Sequence, residues 1–337
     1  MNKENETTIL KPGKDSNNQT IGLGIDLGGT KIAGALFNKD GMFSDKKIMY
    51  LENRTSDQVG ELILDMVQYY VDWAEQKNLT IKRIGVSVPG IYHSKTGKVW
   101  APNIPGWDDY PLLKKLDQKL FHKKIEIRID SDRACYILGG SWKGAAKGSK
   151  NSIFIAVGTG IGAGIMIDGK VLRGAGDTAG AIGWVAVSVP YQDEYRIYGC
   201  FESHASGTGI ALQVRKKLKK NNSVLKGLEE LPIERISTVD VFKAYDAGDE
   251  TAKEVIDEAI KFWGRASANL VSLFNPEKII FGGGVFGPAT QFLPEIYDEA
   301  KKWGQPISMQ SVEFVPSKFG HEAGLYGAGF LSISENE

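Results

Sequence analysis

The segment Asp26-Leu27-Gly28-Gly29-Thr30-Lys31 puts one carboxylate just before a glycine turn that ends in a hydroxyl. Where side chains are missing, backbone N–H groups can converge on an anion, and the threonine adds a donor, so the segment reads as a phosphate cradle. Asp26 stands where a carboxylate can orient Mg²⁺ through water, since that ion typically keeps several of its waters. Taken alone, a tight hairpin with a solvated aspartate explains the same residues. The second half of the chain, however, repeats the chemistry in Gly158-Thr159-Gly160-Ile161-Gly162. Gly282-Gly283-Gly284 then follows an apolar run with a third flat turn, suited to a nucleoside packing on backbone. The expectation is that two glycine–threonine turns hold one polyphosphate from both sides. The first turn is neither a GxGxxG nor a P-loop, because it leads into a strand and not into a helix.

Such turns need strands to hold them. IGLGIDL (21–27), KIAGALF (31–37) and MFSDKKIMYL (42–51) read as three short strands in an antiparallel meander, with turns at 28–30 and 39–41. Thr55 or Ser56 can cap a helix whose residues Val59, Leu62, Ile63, Met66, Val67, Tyr70 and Val71 keep the spacing of one buried face. A strand over 81–90 ends in Pro89-Gly90, a short helix covers 111–120, and a strand over 126–132 ends in polar residues. NSIFIAVGTGIGAGIMIDG (151–169) mirrors GLGIDLGGTKIAGALFNKDG (22–41), for which an internal duplication is the economical reading. After an irregular stretch around 174–198, helices near 203–220, 239–246 and 250–274 lead to a strand over 278–284, and 322–332 forms a last helix. This alternation predicts an α/β protein.

A chain of 337 residues exceeds what one hydrophobic core usually serves, which predicts two domains. Its 41 Lys and Arg balance 41 Asp and Glu, so no bulk field exists to hold nucleic acid or an anionic membrane, and neither is expected as a partner. Cys135 and Cys200 are too few for a disulfide framework, which fits a cytoplasmic location. Residues 1–20 are polar, lack the apolar stretch of a signal peptide, and are expected to form a disordered tail. No run of about 18 apolar residues predicts a membrane span.

As a set, GIDLGGTK (24–31), VPG (88–90), APNIPGW (101–107), DSD (130–132), AVGTGIGAGI (156–165), GCFE (199–202) and IIFGGGV (279–285) resemble the motifs of ROK-family sugar kinases. That family lies within the actin-like and hexokinase-like ATPases, and the motifs run in family order across nearly the whole chain. The resemblance implies two RNase H-like α/β domains facing an active-site cleft, one built from 21–132 with 323–337 and the other from 133–322. It implies ATP and Mg²⁺ as cofactors and phosphoryl transfer to a hexose or related polyol, usually at a 6-OH. On the cofactor side it places Asp26, Gly28, Gly29, Thr30, Lys31, Gly158, Thr159, Gly160, Gly283 and Gly284. On the substrate side it places Gly90, Asn103, Ser131, Asp132, Trp184 and Glu202, and a homodimer is expected.

The resemblance makes Asp132 the general base, family members usually having Asn-Asp where Ser131-Asp132 stand here. A carboxylate at a strand end can take the hydroxyl proton as the oxygen attacks the γ-phosphoryl group. The alternative for Asp132 is the N-cap of the helix that follows it. Asn103 has the alternative of a loop asparagine bonding its own backbone, and Glu202 that of a carboxylate favoured by a helix N-terminus.

Two departures from the family pattern stand out. Where family kinases carry Glu-x-Gly-His, this chain has Ala181-Ile182-Gly183-Trp184, so two polar sugar contacts are missing. The zinc loop Cys-x-Cys-Gly-x-x-Gly-Cys is replaced by residues 193–200, Asp193 and Tyr195 standing in it and only Cys200 remaining. With three of four ligands lost, structural zinc is not expected. Trp184 then reads either as an aromatic wall for a sugar face or as core filling, and His93, His122, His204 and His321 as surface or helix residues. The competing function is a catalytically weak sugar-binding or regulatory ROK protein. The family's repressors add an N-terminal helix-turn-helix, for which the roughly twenty residues before Ile21 are too few.

Overall fold

The computed structural model describes residues 20–335. The tail expected over 1–20 lies outside them, apart from Thr20, which opens the first strand. In chain order the elements are β1 Thr20–Leu27, β2 Lys31–Asn38, β3 Gly41–Tyr50, α1 Ser56–Gln76, β4 Thr80–Val88, β5 Ile91–His93, β6 Lys98–Trp100, α2 Leu112–Leu120, β7 Glu126–Ser131 and α3 Asp132–Trp142. There follow β8 Ser152–Val157, β9 Ile161–Ile167, β10 Lys170–Val171, α4 Tyr195–Tyr198, α5 Cys200–Ala205, α6 Gly207–Asn221, α7 Thr238–Asp246 and α8 Glu250–Phe274. The chain ends through β11 Lys278–Gly282, α9 Leu293–Lys301, α10 Pro306–Ser311, β12 Glu313–Pro316 and α11 Ala323–Ile333.

Strands β5 and β6 pair in a two-stranded antiparallel sheet, and the other ten form two five-stranded sheets, ordered β3-β2-β1-β4-β7 and β10-β9-β8-β11-β12. In each, a three-stranded antiparallel meander continues into two parallel strands. One strand order laid down twice is what a duplication leaves behind. Each sheet carries its own apolar core. In the first, α1 buries all seven residues of the expected face, and Thr55 is its N-cap, with its N–H donating to Gln58 Oε1 at 3.3 Å. On the other side of that sheet α11 lies so close that a Cβ on Gly85 would stand 2.0 Å from the Ala328 carbonyl oxygen. Glycine there replaces side-chain packing with backbone contact.

The chain divides into two compact units, 1–147 with 173–178 and 322–337, and 148–172 with 179–321. The first division falls after Lys147 and not at 132/133, because α3 packs on α11: a Cβ on Gly139 would lie 2.8 Å from the Gly327 nitrogen. A six-residue segment, 173–178, also joins the first unit, which no local pattern announced.

Other differences have local causes. The helix expected over 203–220 is two helices, because Ser206 adopts an extended backbone and caps α6, its hydroxyl accepting from Gly209 N at 2.9 Å. The strand expected to reach residue 132 stops at Ser131, where α3 begins. No helix among the described residues is long and apolar enough to cross a membrane.

Candidate active site

In the first unit the register sets Asp26, Ser87 and Asp130 abreast at the carboxyl ends of the parallel strands β1, β4 and β7. That end of an open α/β sheet is where ligands bind, because the chain leaves each strand there through loops free to vary. Asp26 is half-buried. Burial raises its pKa from 3.8 to about 6, against the pull of the Ser87 hydroxyl and of Lys31. The first turn of α11 abuts it, so that a Cβ on Gly324 would lie 2.4 Å from Asp26 Oδ1. Past β1 the turn closes through Gly28 N donating to Lys31 O at 2.9 Å, leaving Gly29 and Thr30 exposed. Asn103, also exposed, stands beside it, its Cβ 3.6 Å from where a Cβ on Gly29 would be.

Asp132 is the first residue of α3 and Ser131 its N-cap, the hydroxyl accepting from Ala134 N at 3.3 Å. The capping role weighed for Asp132 therefore belongs to Ser131, whose hydroxyl is engaged by the helix. Asp132 Oδ1 accepts from Arg133 N at 2.7 Å, and Tyr136 Oη approaches Oδ2 at 3.5 Å. Burial raises Asp132 from 3.8 to about 6; the Arg133 charge and N–H and the Tyr136 hydroxyl oppose this, and the negative charge of Asp26 adds to it. Gly90 has a backbone reason to be glycine: its φ is +86°, and a Cβ would meet the Trp100 carbonyl at 2.2 Å.

In the second unit the turn at 158–160 is closed by Gly158 N donating to Gly160 O at 2.9 Å. The first turn of α6 holds it from behind, with Gly207 N on Gly158 O at 2.8 Å and Thr208 N on Thr159 O at 3.3 Å. In front, a Cβ on Gly158 would meet nothing within 4 Å. The third glycine turn adjoins this one: Gly283 has φ +88°, a Cβ there would lie 2.4 Å from Val157 O, and Val285 N donates to that oxygen at 3.0 Å. Gly284 and Thr159 are exposed.

Glu202 does something neither earlier reading foresaw. Its Oε2 accepts from Ile161 N at 2.6 Å and packs against Gly160 and Gly183, so it pins the strand after the second glycine turn. Burial raises its pKa, and the Ile161 N–H works against that rise. Trp184 is 56% exposed and so is no core filler, and Ala181 is exposed beside it in the chain. The packing around 184–202 comes instead from Tyr195, which is buried with its Oη 2.7 Å from His204 Nε2, while the His204 ring stacks on Phe262 at 4.3 Å. Among the described residues no group of three or more His, Cys, Asp or Glu is set to hold a metal. A single carboxylate such as Asp26 fits an ion that keeps most of its own waters, as Mg²⁺ does.

Sequence reasoning missed Arg133, Tyr136 and Ser87. Arg133 directly follows Asp132, but its partners lie 43 and 45 residues away, where no spacing rule reaches.

Two units of one strand order, each with a glycine hairpin between its first two strands, define an actin-like ATPase fold. The family model described as ROK matches residues 22–335, and the chain belongs to the ROK family. A glucokinase of Halalkalibacterium halodurans is 33% identical over 318 residues, covering 92% of this chain and 94% of that one. A xylose repressor of Caldicellulosiruptor bescii is 29% identical, covering 94% of this chain and 80% of the repressor. Among solved structures, a ROK-family glucokinase of Streptomyces griseus in complex with glucose and AMPPNP superposes with a TM-score of 0.72 at 28% identity, covering 92% and 98% of the two chains.

Proposed function

We propose that this ROK-family sugar kinase transfers the γ-phosphoryl group of ATP to the 6-OH of a hexose or related polyol, with Asp132 as general base. The observation that carries the reading is the pair Asp26 and Asp132, both half-buried in the first unit and close enough that the charge of one raises the pKa of the other. A carboxylate with a pKa of about 6 is mostly ionised at pH 7 yet still basic enough to take a proton. As the sugar oxygen bonds to the γ-phosphorus, Asp132 accepts the hydroxyl proton, the bond to the β,γ-bridging oxygen breaks, and ADP departs. The resemblance, with Gly29 and Thr30 exposed in the turn Gly28–Thr30 and Thr159 exposed in the turn Gly158–Gly160, supports phosphate binding at each turn, with Lys31 adding charge at the first. Gly283 and Gly284 give a flat surface for the nucleoside. Mg²⁺, held by Asp26 through water, would supply charge neutralisation on the phosphates.

On the sugar side, Asn103 and the remaining oxygen of Glu202 offer hydrogen bonds, Gly90 shapes the adjoining loop, and Ser131 supports Asp132 as the helix cap. Ala181 and Trp184 replace two polar contacts with space and an apolar plane. A site that hydrogen-bonds every hydroxyl rejects analogues lacking them, because its own polar groups would be left unpaired. Losing two such groups favours a sugar altered at positions 1 or 2, with the indole against a C–H face. A homodimer remains part of the proposal, tested by sedimentation of the purified chain.

The deciding experiment is ADP release with Mg·ATP over a panel of hexoses, N-acetylhexosamines, 1-substituted glucosides and cyclitols. Turnover on a member of the panel, with the phosphate located on the 6-OH, supports the proposal. No turnover on any of them shifts the reading to sugar binding without catalysis.

A further inference from the structure

We propose that Arg133 is a positioning residue: its guanidinium ties two loops to the start of the helix that carries Asp132, fixing the walls beside the base. Nη2 lies 3.2 Å from the Gly90 carbonyl oxygen and Nη1 3.4 Å from that of Thr178. One planar fork thus bridges the turn after β4 and the segment 173–178, while the same residue's N–H donates to Asp132 Oδ1. A guanidinium can hold two separate carbonyls at once; an ammonium offers a single point of charge.

The segment 173–178 leaves the second compact unit and returns to it six residues later. A cavity of about 360 Å³ opens against it, lined by Arg173 and Asp177 of the segment with Tyr92, Ser94 and Asp130 among others. Polar anchors hold the segment beside it. Arg173 pairs with Asp130 on β7, and Asp177 accepts from Ser94 N and Ser94 Oγ, both at 3.1 Å. Asp177 has a φ of +58°, a conformation that aspartate tolerates but does not seek. Arg133 is the third anchor and the one that connects the segment to the base. Thr178 stands three residues before Ala181, so the clamp governs how the chain enters the stretch assigned to the sugar.

The kinetic arm of the test rests on the sugar-kinase reading above; a protease arm does not. Trypsin cleavage after Arg173, followed by mass spectrometry on the whole protein, reads release of the segment. Arg133→Met is expected to accelerate that cleavage about tenfold or more, since local opening governs proteolysis when closing is fast. Arg133→Lys should give a smaller but clear acceleration. In the kinetic arm, Arg133→Met and Asp177→Gly, the latter compatible with the positive φ, should each raise the sugar KM about tenfold with the ATP KM within about twofold. The double variant should be no worse than the poorer single one, because both release one segment.

Unchanged cleavage in Arg133→Met, a Lys variant identical to the parent in both arms, strictly multiplicative effects, or an equal rise in the ATP KM would each overturn the proposal. If the protease arm behaves as stated while the parent phosphorylates no sugar, the kinase reading fails and the anchoring stands.

Discussion

Replacing Asp132 with asparagine should cost activity and strengthen the fold. The carboxylate's pKa is raised from 3.8 to about 6, chiefly by burial. A group whose folded-state value lies above its unfolded one contributes stability that is complete below the unfolded pKa and is lost as pH rises through the folded one. Asparagine has nearly the same shape, never ionises, and escapes that loss. With the unfolded value at 3.8 and the folded one near 6, the relief is about 1 kcal/mol at pH 4.5 and grows to about 3 kcal/mol at pH 8. Because Asp26 titrates in the same range, these figures are upper values for one member of a coupled pair. The assay is urea unfolding of the unliganded parent and Asp132→Asn at both pH values, alongside kcat with Mg·ATP and the best sugar. We expect the variant to be the more stable, more so at pH 8, and kcat to fall about 10²–10⁴-fold, the usual contribution of a general base. A variant less stable than the parent at pH 8, or one with the same gain at both pH values, would refute burial as the cause of the shift. A near-normal kcat would refute Asp132 as the base.

In the parent, kcat/KM should decline below about pH 6 as the carboxylates protonate, and a flat profile down to pH 5 would contradict their placement. Gly324→Ala puts a Cβ 2.4 Å from Asp26 Oδ1 and must displace that carboxylate, so kcat/KM for Mg·ATP should fall about 10–100-fold; an unaffected value argues against a role for Asp26 with the nucleotide. Chelator-treated protein should contain no stoichiometric zinc and keep its melting temperature, whereas Tyr195→Phe, which removes the contact to His204, should lower stability by about 1 kcal/mol. One zinc per chain, lost together with the fold, would be the opposite result. Trp184→His combined with Ala181→Glu should improve kcat/KM for glucose relative to a 1-substituted glucoside, and no change in that ratio would end the argument for a remodelled sugar pocket.

The glycine turns, the paired half-chains and the face of α1 could be read from the residues because their causes are local. A hairpin needs glycine at its turn, and a helix needs its apolar residues at one spacing. β5 and β6, three residues each, are too short to show a period. That Ser131 caps α3, where Asp132 was the candidate, turned on where one strand ends, a boundary that adjacent polar residues leave open by a single position. Glu202 stood in a recognisable motif, yet its bond to Ile161 N spans 41 residues. For the same reason the clamp of Arg133 and the return of 173–178 to the first unit had no sequence signal: both rest on side-chain contacts between residues far apart in the chain, which only the finished fold brings together.

The helix α11 closes the first unit, yet it comes from the far end of the chain, and this orders events during synthesis. Strands β1, β4 and β7 leave the ribosome long before the residues that cover one face of their sheet. At roughly 5–20 residues per second, the intervening unit takes on the order of 10 s or more to be made. Throughout that interval Gly22, Gly24 and Gly85, the positions where α11 will lie against bare backbone, face no partner. The nascent first unit therefore spends its early life with an apolar sheet face uncovered, the kind of surface that chaperones hold and that neighbouring chains on one messenger can mispair.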